Sequence, residues 1–220
     1  MVELQIEQHS RLLVEAFITR WPTALAERPP LTAAGALLRS ALGTAPDLPL
    51  PDAALRASIR DMLRSRDFKP TGRSKPASEY LARASSEAGE DGLRSINPAV
   101  DACNAVSLHS GLPISVVDLD KLTPPLQIRV AGAGESYVFN PTGQVIALDG
   151  LLCLYDIHGP CANAIKDAQR TKTSDATQST LTIIWSSREL ATQTAQALRL
   201  YHSLLASAAE IEVVTSTLLT

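Results

Sequence analysis

At 220 residues, with apolar side chains making up 45% and charged ones 20%, the chain can fill one core and is short for two full domains. No apolar run approaches the ~20 residues that cross a bilayer, and the opening stretch MVELQIEQHSRLL carries acids where a signal peptide has a basic start, so a cytoplasmic protein is expected. A net charge of −3 argues mildly against a nucleic-acid partner, and Cys103, Cys153 and Cys161, odd in number and without a CxxC pair, argue for a reducing cytoplasm and against a disulfide framework or a structural zinc.

In chain order, Leu4, Leu12, Leu13, Ala16, Phe17 and Trp21 fall at helical spacing, which predicts a helix over residues 3–27 with a break near Pro22. Pro29 and Pro30 mark a turn, and Thr32 caps a helix through Leu42. The proline-rich stretch Gly43–Asp52 is a loop, after which Asp52 caps a helix over Ala53–Arg66. Character changes after Asp67. Phe68–Lys75 is a basic loop, Ser78–Ser86 a short helix, and Asn97 or Pro98 opens a helix that Gly111 ends after Ser110. Strand patterns follow at Ile114–Asp118, Leu126–Val130, Ser136–Phe139, Val145–Ala147, Leu151–Tyr155 and Leu181–Trp185. Ser187 caps a last helix, Arg188–Ala208, and Ile211–Val214 is a closing strand. Helices, then strands, then a helix predict an α+β fold rather than βαβ alternation.

Charge is unevenly spread. Between Arg56 and Arg83 the basic residues exceed the acids Asp61, Asp67 and Glu79 by five. That asymmetry fits a basic face on an acidic protein, with Arg64, Arg73 and Lys75 as candidate contacts to a nucleic-acid backbone. It fits equally a solvated helix whose arginines lie along its surface. Lys166, Arg170 and Lys172 form a second basic cluster. No Ser-His-Asp order, His-Glu metal motif or Gly-rich phosphate loop is visible, so no metal or cofactor is expected.

Ser95–Lys121, SINPAVDACNAVSLHSGLPISVVDLDK, resembles the B3/B4 domain of the phenylalanyl-tRNA synthetase β-subunit and of free-standing proteins built on it. The shared pattern is Val-Asp and Asn-Ala-Val on a helix, then Gly-x-Pro and a strand ending in Asp-Leu-Asp. Lys75–Leu81, Leu126–Glu135, Asp167–Thr171 and Asp175–Thr177 continue the resemblance in order, over roughly residues 68–187. It implies a three-layer core with mixed β-sheets over 68–187, preceded by N-terminal helices over 1–66 and followed by a C-terminal helix and tail over 188–220, as one domain. It also implies hydrolysis of a mischarged aminoacyl-tRNA, with canavanyl-tRNA(Arg) as the substrate of the most similar free-standing activity, and transient contact with an aminoacyl-tRNA synthetase as a further partner. The alternative is a non-catalytic module that binds tRNA or a protein.

Carried over by position, the family's pocket Asn is Asn104, the residue before it Cys103, and the pocket proline Pro113. Ser115 stands where the family has a histidine, and the family's pocket glutamate falls at Thr182 or Ile183. These departures point away from tyrosine as the amino acid removed.

An activated ester needs a positioned water and donors for the developing oxyanion. Asn104 offers both a donor and an acceptor, and Ser115 can hold the water or the ester carbonyl; as ordinary helix and strand residues they would bond local backbone instead. Asp118 and Asp120 share a strand face, so Asp118 is the candidate partner for a cationic amino-acid side chain, or else a strand-end acid facing water or backbone. His158, in the loop Asp-Ile-His-Gly-Pro, is the candidate functional histidine, and Arg170 and Lys172 are candidate phosphate contacts.

Overall fold

The computed structural model describes residues 2–64 and 68–219. Two sheets carry the fold. The five-stranded sheet runs in the order β11 (Thr215–Leu218), β1 (Glu3–Ile6), β4 (Leu126–Val130), β7 (Leu152–Asp156), β8 (Gly159–Asn163). It is mixed, since β1 is parallel to both β11 and β4 while β4, β7 and β8 are antiparallel. The four-stranded sheet, β10 (Glu210–Val213), β2 (Leu12–Arg20), β9 (Ser179–Ser187), β3 (Ile114–Asp118), is antiparallel throughout. A small hairpin joins β5 (Ser136–Val138) to β6 (Val145–Ala147).

The helices α1 (Thr32–Leu38), α2 (Ala53–Leu63), α4 (Pro98–Ser110) and α5 (Ala191–Leu205) form a layer that packs on the four-stranded sheet, whose other face meets the five-stranded one. α3 (Ala77–Ala88) lies against α4. This is the expected α+β arrangement in three layers. Every residue of β9 is buried, and Trp185 and Tyr201 are among the largest fully enclosed side chains, with Tyr201 edge-on to Phe17 at 5.0 Å. Among the described residues no helix is long and apolar enough to cross a membrane.

The helix expected over residues 3–27 is instead two strands, β1 and β2, with one short helical turn at Leu25–Glu27. β2 is paired along its whole length with β9, from Leu12↔Ser187 to Arg20↔Ser179, and with β10 on its other side. A strand between two neighbours and covered on both faces has a near-continuous apolar run, which spacing alone does not separate from a helix. The β-branched Val14, Ile18 and Thr19 favour the strand. The helix from Thr32 stops at Leu38 rather than Leu42, and Thr32 is its first residue, not its cap. The expected end of α2 at Arg66, and the boundary at Asp67, lie outside the described residues. β8 and β11 were not anticipated.

The corner that positions the site follows the sequence closely. Asn97 Oδ1 accepts the Val100 N–H at 3.0 Å, and Pro98 occupies the first turn of α4. Gly111 closes α4 with φ +73°, where a Cβ would sit 2.7 Å from Leu55 Cδ2 and 2.8 Å from Pro51 Cβ. Only glycine turns this tightly against α2, and the turn delivers β3 alongside α4.

Candidate functional site

Between α3, the first half of α4, β3 and the segment after β8 lies a cavity of about 550 Å³. Its walls are mainly apolar, from Leu81, Ala84, Val100, Ile114, Val116 and Ile165. Tyr80 and Ile96, both substantially exposed, also line it. The polar groups that reach it include Asn104, Lys166, Asp167, Lys172 and Thr173. A largely apolar hollow with a few converging polar groups is the usual form of a small-ligand site.

Asp167 is the chemical centre of this cavity. Its Oδ1 accepts the Ser115 hydroxyl at 2.7 Å and the Asn163 backbone N–H at 3.2 Å. No hydrogen bond from the described residues reaches Oδ2. The loop that presents the carboxyl is braced from below: Asn163 Oδ1 accepts the N–H groups of Ile165 (2.8 Å) and Lys166 (2.9 Å), and its amide donates to the Tyr137 hydroxyl. Burial pushes the Asp167 carboxyl up to about 7, against the opposite pull of the Ser115 and Asn163 bonds and the Lys172 ammonium. Asp167 therefore changes protonation near neutral pH, where a general base is most effective.

The two lysines are held rather than free. Lys172 Nζ donates to the Phe139 carbonyl at 2.6 Å, and Lys166 Nζ stands 4.1 Å above the Phe139 ring. Burial lowers the Lys172 pKa, opposed by the nearby Asp167.

Of the residues singled out from sequence, Asn104, Cys103 and Lys172 line the cavity. The Asn104 side chain makes no hydrogen bond to the described residues. Cys103 is buried, its thiol pushed up to about 12 by burial, with Sγ 3.6 Å from the Ile114 carbonyl. Ser115 lies beneath the cavity, behind Asp167, and reaches it only through that carboxyl. Pro113 is buried at the turn, its carbonyl accepting the Trp185 N–H at 3.0 Å.

Asp118 is not among the lining residues. Its carboxylate is buried and already engaged by the Thr177 hydroxyl at 2.6 Å and the Lys121 ammonium at 3.3 Å. His158 is exposed on the turn between β7 and β8. Arg170 lays its guanidinium across Asp156, at 2.6 and 3.0 Å, and donates to the Gly159 carbonyl at 2.8 Å. Arg64 pairs with Asp61, whereas exposed Arg73 has no ion-pair partner among the described residues. Arg73 and Lys75 belong to the loop beside the cavity mouth, where the Tyr80 hydroxyl donates to the Gly72 carbonyl at 3.3 Å.

From sequence alone Asp167 has no assigned role. It stood only within the Asp167–Thr171 stretch of the resemblance, and that stretch was the available signal. Trp185 and Asn163 were equally silent.

A family model described as the B3/4 domain matches residues 73–205. The phenylalanine–tRNA ligase beta subunit of Pasteurella multocida is 37% identical over 73 residues, which are 33% of this chain and 9% of that one. The same subunit of Legionella pneumophila (strain Lens) is 32% identical over an equal span. This chain thus matches only a small part of the length of these relatives. A solved N-terminal fragment of the phenylalanyl-tRNA synthetase beta-subunit from Pyrococcus horikoshii aligns with a TM-score of 0.51 at 12% identity, covering 99% of this chain and 54% of that one. At that identity the likeness is one of fold.

Proposed function

The chain belongs to the B3/4 domain family, and from that premise we propose that it is an aminoacyl-tRNA deacylase acting in trans, with canavanyl-tRNA(Arg) as its leading substrate. The observation that carries this is the Asp167 carboxyl, lining an apolar cavity with one oxygen unengaged and a pKa of about 7.

In this mechanism the aminoacyl ester enters the cavity with its carbonyl carbon near Asp167. As the carboxylate, Asp167 takes a proton on Oδ2 from a water whose oxygen attacks that carbon. The carbonyl electron pair moves to oxygen, and the tetrahedral adduct collapses with loss of the ribose oxygen. That oxygen receives the proton back from Asp167. The products are the free amino acid and tRNA with its ribose hydroxyl restored. Asn104 has a free amide to hold the water or the vicinal ribose hydroxyl, which is worth a large part of such a barrier when the group is fixed in advance. Ser115 keeps Asp167 in place from behind.

The preference for canavanine follows from charge. An arginine guanidinium stays protonated in any protein environment and would need a carboxylate partner in the cavity. With Asp118 engaged elsewhere, the acid that lines it among the described residues is Asp167, which the reaction keeps as its base, and Lys166 and Lys172 add positive charge that disfavours a second cation. The guanidinooxy group of canavanine is less basic and can enter without its proton. The loop carrying Arg73 and Lys75 beside the mouth supplies cations for the acceptor end of the tRNA.

The test is to incubate the purified protein with a panel of mischarged tRNAs and follow loss of the ester. Canavanyl-tRNA(Arg) is expected to be hydrolysed and arginyl-tRNA(Arg) spared. Binding of tRNA with no ester lost from any member of the panel would replace the hydrolase by a non-catalytic binding module.

A further inference from the structure

Behind the cavity, β9, β3 and the turn after β8 place three hydrogen-bonding groups in line. The Trp185 indole N–H donates to Ser115 Oγ at 3.0 Å. Ser115 Oγ lies 2.7 Å from Asp167 Oδ1 and 3.2 Å from the Asn163 carbonyl, and can donate its single hydrogen to only one of them. Trp185 and Ser115 are both fully enclosed, so no water competes for these bonds.

We propose that Trp185 is a positioning residue: its indole N–H fixes the Ser115 hydroxyl as a donor to Asp167 Oδ1 and thereby confines the mobile proton of Asp167 to Oδ2, the oxygen without a protein partner. This rests on Asp167 being the base proposed above. The indole is an obligate donor, so it fills one lone pair of Ser115 and polarises the hydroxyl, strengthening it as a donor and weakening it as an acceptor. Ser115 therefore points its hydrogen at the carboxyl, its shorter contact. Together with the Asn163 N–H, that bond occupies both lone pairs of Oδ1. A proton arriving at Asp167 has only Oδ2 to settle on.

Without the indole N–H, the alternative arrangement competes. Ser115 turns its hydrogen to the Asn163 carbonyl and accepts a hydrogen bond from a protonated Oδ1, which holds that proton on the side away from substrate. Lys172 acts on Asp167 by its charge, Lys166 lines the same cavity, and Asp167 in turn acts on Tyr137 of β5, Cys103 of α4 and Cys161 of β8. Burial raises the hydroxyl and both thiols, which leaves them neutral near pH 7. Lys172 and Lys166 are thus the charges that remain, and neither variant below alters them.

The experiment titrates the Asp167 carboxyl carbon by NMR in the wild type, Ser115→Ala and Trp185→Phe, alongside the pH profile of kcat/KM. The Asp167 midpoint is expected to rise by about one unit in Ser115→Ala, and by somewhat less in Trp185→Phe, because each weakens a hydrogen bond to the charged form. The kinetic profile should move with it. If Trp185→Phe does not fold, β-(3-benzothienyl)alanine at position 185 keeps the ring and lacks only the donor. An unmoved midpoint in the Trp185 variant, whatever Ser115→Ala does, overturns the proposal. The titration needs no substrate, so it stands apart from the hydrolase assignment, which fails on inactivity of the wild type.

Discussion

Replacing Asp167 by Asn separates catalysis from architecture, because the two side chains have the same shape. Asn Oδ1 can still accept from Ser115 and from the Asn163 N–H, while an amide NH2 takes the place of Oδ2. The variant therefore keeps the loop and loses the base. General-base catalysis contributes about 10²–10⁴-fold, so single-turnover deacylation should fall by that factor and lose its inflection near neutral pH. A second effect is thermodynamic. Burial moves the Asp167 pKa from 3.8 to about 7, a shift of about three units at about 1.4 kcal/mol each, or about 4 kcal/mol in full. Because the carboxyl opens partly on the cavity, about 2–4 kcal/mol is expected. The sign follows from proton counting: between these two pKa values the folded protein holds a proton that the unfolded chain has released, so wild-type stability falls as pH rises through this window and levels off above it. Asp167→Asn lacks that slope. Urea unfolding of both proteins at about pH 5 and about pH 8 should show the variant gaining on the wild type at the higher pH. Wild-type deacylation rates in a folded Asp167→Asn protein would remove Asp167 from the mechanism, and a stability difference independent of pH would refute the buried, neutral carboxyl.

Asn104→Ala should slow single-turnover hydrolysis by about 2–4 kcal/mol of transition-state stabilisation with little change in the unfolding midpoint; an unchanged rate would leave Asn104 as a wall residue. Asp118→Asn should cost about 1–3 kcal/mol of stability, read by denaturant melts, through its bonds to Thr177 and Lys121. Its deacylation rate per folded molecule should hold, and a selective loss on canavanyl-tRNA would instead make Asp118 a substrate contact. The triple change of Arg64, Arg73 and Lys75 to Ala should weaken tRNA binding and flatten the salt dependence of its affinity by a slope of about 2–3. An unaltered slope would take the phosphate path elsewhere.

What could be read in advance divides along a physical line. Local signals survived: the Asn97-Pro98 start and Gly111 stop of α4, the Asp52 cap, and β3 to β6 with their glycine turns. Each depends on a few neighbouring residues. β2 resists this reading because Leu12–Arg20 has apolar residues on both faces and neighbours on both edges, so the period that distinguishes strand from helix is blurred. The cavity was half visible, in Asn104 and Cys103 on one face of α4. Asp167 was not, because in KDAQRT it looks like one more charge on a solvated turn. Its character comes from burial, opposed by Ser115, Asn163 and Lys172, and the meeting of β3, β8 and the following loop creates both. A carboxyl's acidity is a property of its surroundings, and those lie about fifty residues away in the chain for Ser115.

The pairing of β1 with β11, Glu3↔Thr215 through Ile6↔Leu218, imposes a timetable on the newborn chain. β1 leaves the ribosome long before its outer partner exists, and β2 likewise waits for β10, whose ladder starts at Glu210↔Arg20. Neither sheet can be completed until residues 210–218 have emerged. In the interval β1 and β2 each expose an open edge, available to chaperones or to other nascent copies. The four residues of β1 make a short template for mispairing, but the nine of β2, with Val14, Phe17, Ile18 and Thr19, make a longer one. Loss of solubility on trimming this chain at β10 would therefore precede any loss of the residues that surround Asp167.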